Sequence, residues 1–199
     1  MGNEATVRAK VNGRADQGRA LLETNELVFR GARRCAVKLD AATRAAARAK
    51  GGWLTVGSLS LELGADQAGK WLVKIQRPKS VLEKLGVKRG QVAALVSLDD
   101  EVAFARQLAE HGVTLGKNAT VVFFQVRTVK DLERLPKLRK ALPDDGVLWL
   151  LRPKGKDAPV GERDTMAAGK AAGLVDVKVV AFSDTLSAEK YVVPLRDRK

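Results

Sequence analysis

The first 63 residues alternate apolar and polar side chains with the period of a half-buried sheet. Ala5, Val7, Ala9 and Val11 alternate with Thr6, Arg8, Lys10 and Asn12. Cys35, Val37 and Leu39 oppose Arg34, Ala36 and Lys38, and Leu59, Leu61 and Leu63 oppose Ser58, Ser60 and Glu62. Turn-forming pairs punctuate these runs at Asn12-Gly13, Gln17-Gly18, Thr24-Asn25, Gly31-Ala32 and Gly51-Gly52, so short antiparallel strands are expected. Ala41 to Lys50 reads two ways: its alanines favour helix, and its position between strands favours strand. After Gly64 the period lengthens. Ala68, Trp71, Leu72 and Ile75 lie at i, i+3, i+4 and i+7, the stripe of an amphipathic helix, which Pro78 ends.

Six or seven strands closed by one amphipathic helix resemble, in element order, the pleckstrin-homology-like barrel, whose helix plugs an open end. From residue 81 strands alternate with helices, the rhythm of a parallel sheet with crossover helices. Strands are expected at Gln91 to Ser97, Ala119 to Val126, Val147 to Leu151, Val175 to Phe182 and Tyr191 to Val193. Helices are expected at Glu101 to His111, around Leu132, Leu135 and Leu138 with a kink at Pro136, and at Arg163 to Ala172. Ser183 to Lys190 is too short for a crossover helix, so the last two strands should pair antiparallel. The expected fold class is α+β: a PH-like barrel over residues 1–77, a linker over 78–90, and a small Rossmann-like three-layer α/β domain over 91–199.

Leu138 to Leu150, with Pro143-Asp144-Asp145-Gly146 as its turn, resembles the helix, turn and strand of class I methyltransferases. Ala172-Gly173-Leu174-Val175-Asp176 before a strand, and a final antiparallel strand, are similar to the carboxyl end of that fold. The resemblance covers roughly 65 residues of common packing motifs and implies a fold rather than an activity. In that family a glycine-rich turn after the first strand lets the backbone approach S-adenosylmethionine. Here that position reads Val96-Ser97-Leu98-Asp99-Asp100-Glu101, without glycine. The departure implies that the cradle is missing and that no cofactor is held; Asp99 or Asp100 is expected to cap the following helix. Over most of its length the chain also resembles a two-domain bacterial family known only as a domain of unknown function. Gly52-Trp53-Leu54, Lys70 to Ile75, Pro78-Lys79-Ser80, Leu85 to Lys88 and Arg152-Pro153-Lys154-Gly155 carry that resemblance, which supplies no activity.

Composition narrows the function classes. With 199 residues, 45% of them hydrophobic, the chain can bury a core. Its longest apolar runs fall far short of the roughly 18 residues that cross a bilayer, so membrane insertion is not expected. One cysteine cannot form an internal disulfide, which points to a cytoplasmic location. Thirty-six Lys and Arg against 23 Asp and Glu give a formal charge of +13, enough to attract nucleic acid or another polyanion. Aromatics are only 5%, too few for the stacking platforms of single-strand readers. The oligomeric state is not legible.

Individual motifs add little catalysis. Gly64 to Trp71 nearly matches the phosphate loop G-x-x-x-x-G-K-[ST], but Trp71 stands where a hydroxyl would hold magnesium and belongs to the apolar stripe. His111 is the single histidine and sits at a helix end, where a structural role is expected, so no histidine cluster can ligate a metal. Cys35 falls on the inward phase of its strand and is expected buried. Arg152, Lys154 and Lys156 follow the carboxyl end of a buried strand, where open α/β sheets place ligands, and Arg127 ends another strand. These four are candidate anion-binding residues. Arg30, Arg33, Arg34 and Lys38 form a second, basic-face candidate on the first domain. The leading expectation is a non-catalytic cytoplasmic binding or regulatory protein with a protein, anionic or polyanionic partner. The alternatives are a divergent S-adenosylmethionine-dependent methyltransferase and a sequence-independent nucleic-acid binder.

Overall fold

In the computed structural model, which describes residues 3–198, the chain divides into two compact units, at Met1–Lys79 and Ser80–Lys199. The fold is α+β, one curled antiparallel sheet and one mixed sheet, each with its own helices.

The first unit holds β1 (Asn3–Val11), β2 (Arg14–Leu22), β3 (Glu26–Arg30), β4 (Arg34–Lys38), β5 (Arg48–Lys50), β6 (Trp53–Val56) and β7 (Leu59–Glu62). They form an antiparallel sheet of order β4-β3-β2-β1-β7-β6-β5. Asn12 and Gly13 both adopt positive φ, 49° and 78°, the two left-handed residues that a type I′ hairpin turn requires. That turn sets a register from Val11 opposite Arg14 to Asn3 opposite Leu22. The segment that read two ways is both: α1 (Ala41–Ala46) is followed directly by β5. Asp40 caps α1 by accepting from the Thr43 amide, and Arg44 donates to the carbonyls of Leu39, Thr24 and Ile75 at 2.7 to 2.8 Å. The helix α2 (Ala65–Gln76) lays Ala68, Trp71 and Ile75 onto Leu27, Phe29, Leu54, Leu59 and Leu61. Trp71 is 2% exposed, so the near phosphate loop is a packing element.

The second unit opens with a helix inside the stretch read as a linker. α3 (Val81–Leu85) has a reciprocal cap, the Ser80 amide donating to Glu83 and the Glu83 amide to the Ser80 hydroxyl. Its Leu82 and Leu85, with Val87, belong to the core. Then come β8 (Val92–Val96), α4 (Glu101–Glu110), β9 (Thr114–Leu115), β10 (Val121–Gln125), α5 (Leu135–Ala141), β11 (Val147–Pro153), α6 (Glu162–Ala171), β12 (Val175–Ala181) and β13 (Leu186–Val192). Pro136 starts α5 rather than kinking a longer helix; a 3₁₀ segment, Val129–Arg134, precedes it.

The sheet order is β12-β13-β11-β10-β8-β9. β9, β8, β10 and β11 are parallel neighbours, and β13 runs antiparallel between β11 and β12. The last strand starts at Leu186, not Tyr191, because polar Ser187, Glu189 and Lys190 hide its apolar alternation. One face packs Ala93, Phe123, Trp149 and Leu151 with Phe104 and Leu108 of α4. The other packs Phe124, Leu148, Leu150 and Tyr191 with Leu135 of α5.

Candidate functional site

β8 has β9 on one side and β10 on the other. The chain therefore changes direction between β8 and β10, and their carboxyl ends mark the usual ligand position of an open α/β sheet. Ser97, Asp99, Gln125, Arg127, Asp131 and Arg134 meet there.

Asp99 is the hub. Its amide donates to Gln125 Oε1 at 2.9 Å, and the Gln125 amide nitrogen donates back to its carboxylate. Arg127 adds a forked, charge-assisted contact, with Nε at 2.9 Å from Asp99 Oδ1. The Arg127 guanidinium, and next the Gln125 amide, hold the Asp99 carboxyl below its ordinary value of 3.8. Asp131 accepts from the backbone amides of Arg127 and Thr128 at 2.9 and 2.8 Å, which lowers its pKa and fixes the turn after β10. Arg134 donates to Ser97 Oγ at 2.7 Å and lies 5.2 Å from the centroid of the Phe124 ring. Two arginines after β10 thus reach across to the segment after β8.

This corrects the expectation of a cap. Neither Asp99 nor Asp100 caps α4 through its side chain: Asp100 at the N-cap makes no such bond, and the Asp99 carboxylate serves the arginine instead. A bidentate guanidinium outcompetes a single backbone amide. The backbone there keeps the left-handed conformation that glycine favours, Ser97 carrying φ 59°, at an energetic cost to a non-glycine residue; what differs from a glycine turn is the presence of the Ser97 side chain.

The four anion candidates do not gather into one site. Arg127 serves Asp99. Arg152 turns inward to Glu189, with side-chain exposures of 13% and 3%, and lies 3.9 Å from Glu162. Lys154 donates to the Ser183 carbonyl at 2.5 Å in the hairpin before β13. Lys156 stays exposed in the turn before α6. The start of α6 takes up its own acid, the Gly161 amide donating to Asp164 at 2.8 Å. Sequence reasoning missed the buried partners behind Arg152. The Tyr191 hydroxyl donates to Glu189 at 3.2 Å, Thr165 is fully buried nearby, and burial above all raises the Tyr191 phenol above 10.0. Glu189, on the same strand phase as Tyr191 and Val193, was the available signal.

On the first unit, Arg19 stands opposite Arg30 and Arg30 opposite Arg34, so three exposed arginines align across β2, β3 and β4. Arg19 was not a candidate; only the register reveals it. It pairs with Glu4. Arg33 is held by Asp16, whose pKa is lowered chiefly by the Arg33 backbone amide, and Lys38 stands opposite Glu26. Cys35 is half-buried, with Sγ 3.9 Å from Ser58 Oγ. His111 Nε2 donates to the Val87 carbonyl at 3.1 Å. Among the described residues no group of three His, Cys, Asp or Glu is placed to hold a metal ion.

No protein-family model matches the chain, and no curated protein matches it. Solved structures similar to it include proteins named as methyltransferases. A TehB-like SAM-dependent methyltransferase from Corynebacterium glutamicum shares 10% identity over 65% of this chain and 97% of its own, with a TM-score of 0.43. CalO1, a methyltransferase in calicheamicin biosynthesis in its SAH-bound form, shares 16% over 65% of this chain and 58% of its own, at 0.44. A SAM-dependent methyltransferase from Aquifex aeolicus shares 13% over 61% and 93%, at 0.41. At these identities and TM-scores the likeness carries no activity over to this chain.

Proposed function

We propose that the protein works in the cytoplasm by binding a macromolecular or anionic partner, through a PH-like first domain and a methyltransferase-like α/β domain whose usual ligand position its own side chains occupy. Membership of the two-domain bacterial family resembled in sequence is part of the same proposal. The observation that carries it is the Asp99–Gln125–Arg127 network. An adenosyl cofactor needs close backbone approach after the first strand and an acid for its ribose. Here Ser97 replaces glycine, and the Asp99 carboxylate is engaged by Arg127 and Gln125. The chain returns from β9 to β10 through Gly116 to Thr120, which contains no acid. These residues do not fit that cofactor. The first unit supplies the opposite character, an exposed cationic row at Arg19, Arg30 and Arg34.

The strand order favours a second reading, divergent S-adenosylmethionine-dependent methyl transfer, because the antiparallel β13 lies between β11 and β12 at the end of a parallel sheet. Calorimetry with S-adenosylhomocysteine separates the two. The binding reading expects no saturable heat from the wild-type protein. Micromolar binding that is lost in Asp99→Asn and in Arg127→Ala would replace it with the catalytic reading.

A further inference from the structure

The outer edge of the second sheet carries a strand whose sequence complements itself. β12 pairs with β13 on one side and, among the described residues, has no strand on the other. Its residues Val175-Asp176-Val177-Lys178-Val179 are all exposed, and Val175, Val177 and Val179 keep 42%, 58% and 55% of their surface open. A free edge presents unpaired amides and carbonyls, and folded proteins usually blunt it with a lysine or a bulge. β12 has both, Lys178 and a register shift between Asp176 and Lys178, yet it displays three valines.

Those features acquire a second meaning under a two-fold axis. When two copies of β12 run antiparallel with Val177 opposite Val177, Asp176 of each copy faces Lys178 of the other, and Val175 faces Val179. Each charge meets its opposite and each exposed valine meets a valine, both favourable cross-strand pairs. An unrelated strand would leave Asp176 and Lys178 unmatched, so the charges that discourage other strands admit a second copy. The register shift leaves Val177 without a partner on β13. Lys178 Nζ donates to the Lys84 carbonyl at 2.7 Å, and an ammonium has two further donors for a carboxylate.

We propose that the protein forms an isologous homodimer through antiparallel pairing of β12 with β12 of a second copy, centred on Val177, so that two sheets become one. Sedimentation of the full chain at rising concentration tests this. The mass should climb toward twice the 21.5 kDa of one chain. Asp176→Lys and Lys178→Asp each place like charges opposite one another at two symmetric positions and should weaken association about tenfold. The double reversal D176K/K178D should restore it, and should sort away from wild-type chains in a mixture. Val177→Pro, at a position outside the β13 ladder, should abolish association with the melting temperature retained. A wild-type protein that stays monomeric overturns the proposal. So does a dimer that survives Val177→Pro, or a folded double reversal that remains monomeric.

Discussion

Arg152 ends an apolar strand and commits its guanidinium to Glu189, which is 2% exposed. Breaking such a pair strands a buried charge at a cost of about 3–5 kcal/mol, whereas replacing both partners by apolar residues is often neutral. Arg152→Met should therefore lower the unfolding free energy by several times more than R152M/E189L, as measured by urea denaturation. Tyr191 reports on the same cluster, because it is the only tyrosine in the chain. Its folded pKa is raised above 10.0, so it contributes stability that is fully present below pH 10 and is lost as pH rises through the folded value. An alkaline titration should show phenolate absorbance rising together with loss of tertiary structure; ionisation near 10 in a folded protein would contradict the burial. Apolar core positions were legible in sequence, since periodicity marks Trp71 and Ile75 of the first unit directly. The Asp99–Arg127 contact was not. The two residues lie on segments that only the strand order makes neighbours, and local spacing signals read Asp99 as the start of a helix.

Elements show the same division between local and long-range information. α2 and the strands β8, β10 and β12 emerged close to their expected positions because each carries its own period and its own stop signal. α1 and β5 were confounded because one short segment changes from helix to strand at Ala47, whose buried side chain serves the core of the first unit. α3 was missed although Ser80 and Glu83 carry the spacing of a capping box. Five residues are too few to display helical periodicity, so only the cap and the burial of Leu82 and Leu85 reveal the element. Ser80→Ala should cost about 1 kcal/mol, and amide exchange should quicken at residues 81–86 first. A uniform loss across the second sheet would mean that α3 acts as part of the core and not as a capped terminal element. The turns after β8 and β10 are a parallel case. Asp99 and Asp131 both titrate below 3.8, so their contributions are present above that pH and are lost as pH falls through the depressed values. Acid should therefore loosen the segments after β8 and β10, an effect that Asp99→Asn removes at its own position.

At the scale of the whole chain, the charge of +13 is unevenly placed: residues 1–79 hold 15 basic and 7 acidic side chains, and residues 80–199 hold 21 and 16. Arg30 stands directly opposite both Arg19, which Glu4 engages, and Arg34, and like charges so placed are destabilising. A sheet face selected for stability alone would interleave signs, as Lys38 does with Glu26 one end along. A polyanion laid across the row would relieve the repulsion and release its own counterions. This gives a prediction with two linked halves. Arg30→Thr together with Arg34→Thr should raise the melting temperature in the absence of ligand, because the repulsion is removed and threonine suits a strand. The same change should weaken binding to duplex DNA, measured by fluorescence anisotropy, and reduce the slope of log affinity against log salt by about 0.9 for each lost phosphate contact. A more stable variant whose DNA affinity and salt slope match the wild type would show that the row is a solvated face and would move the search for the partner to the second unit.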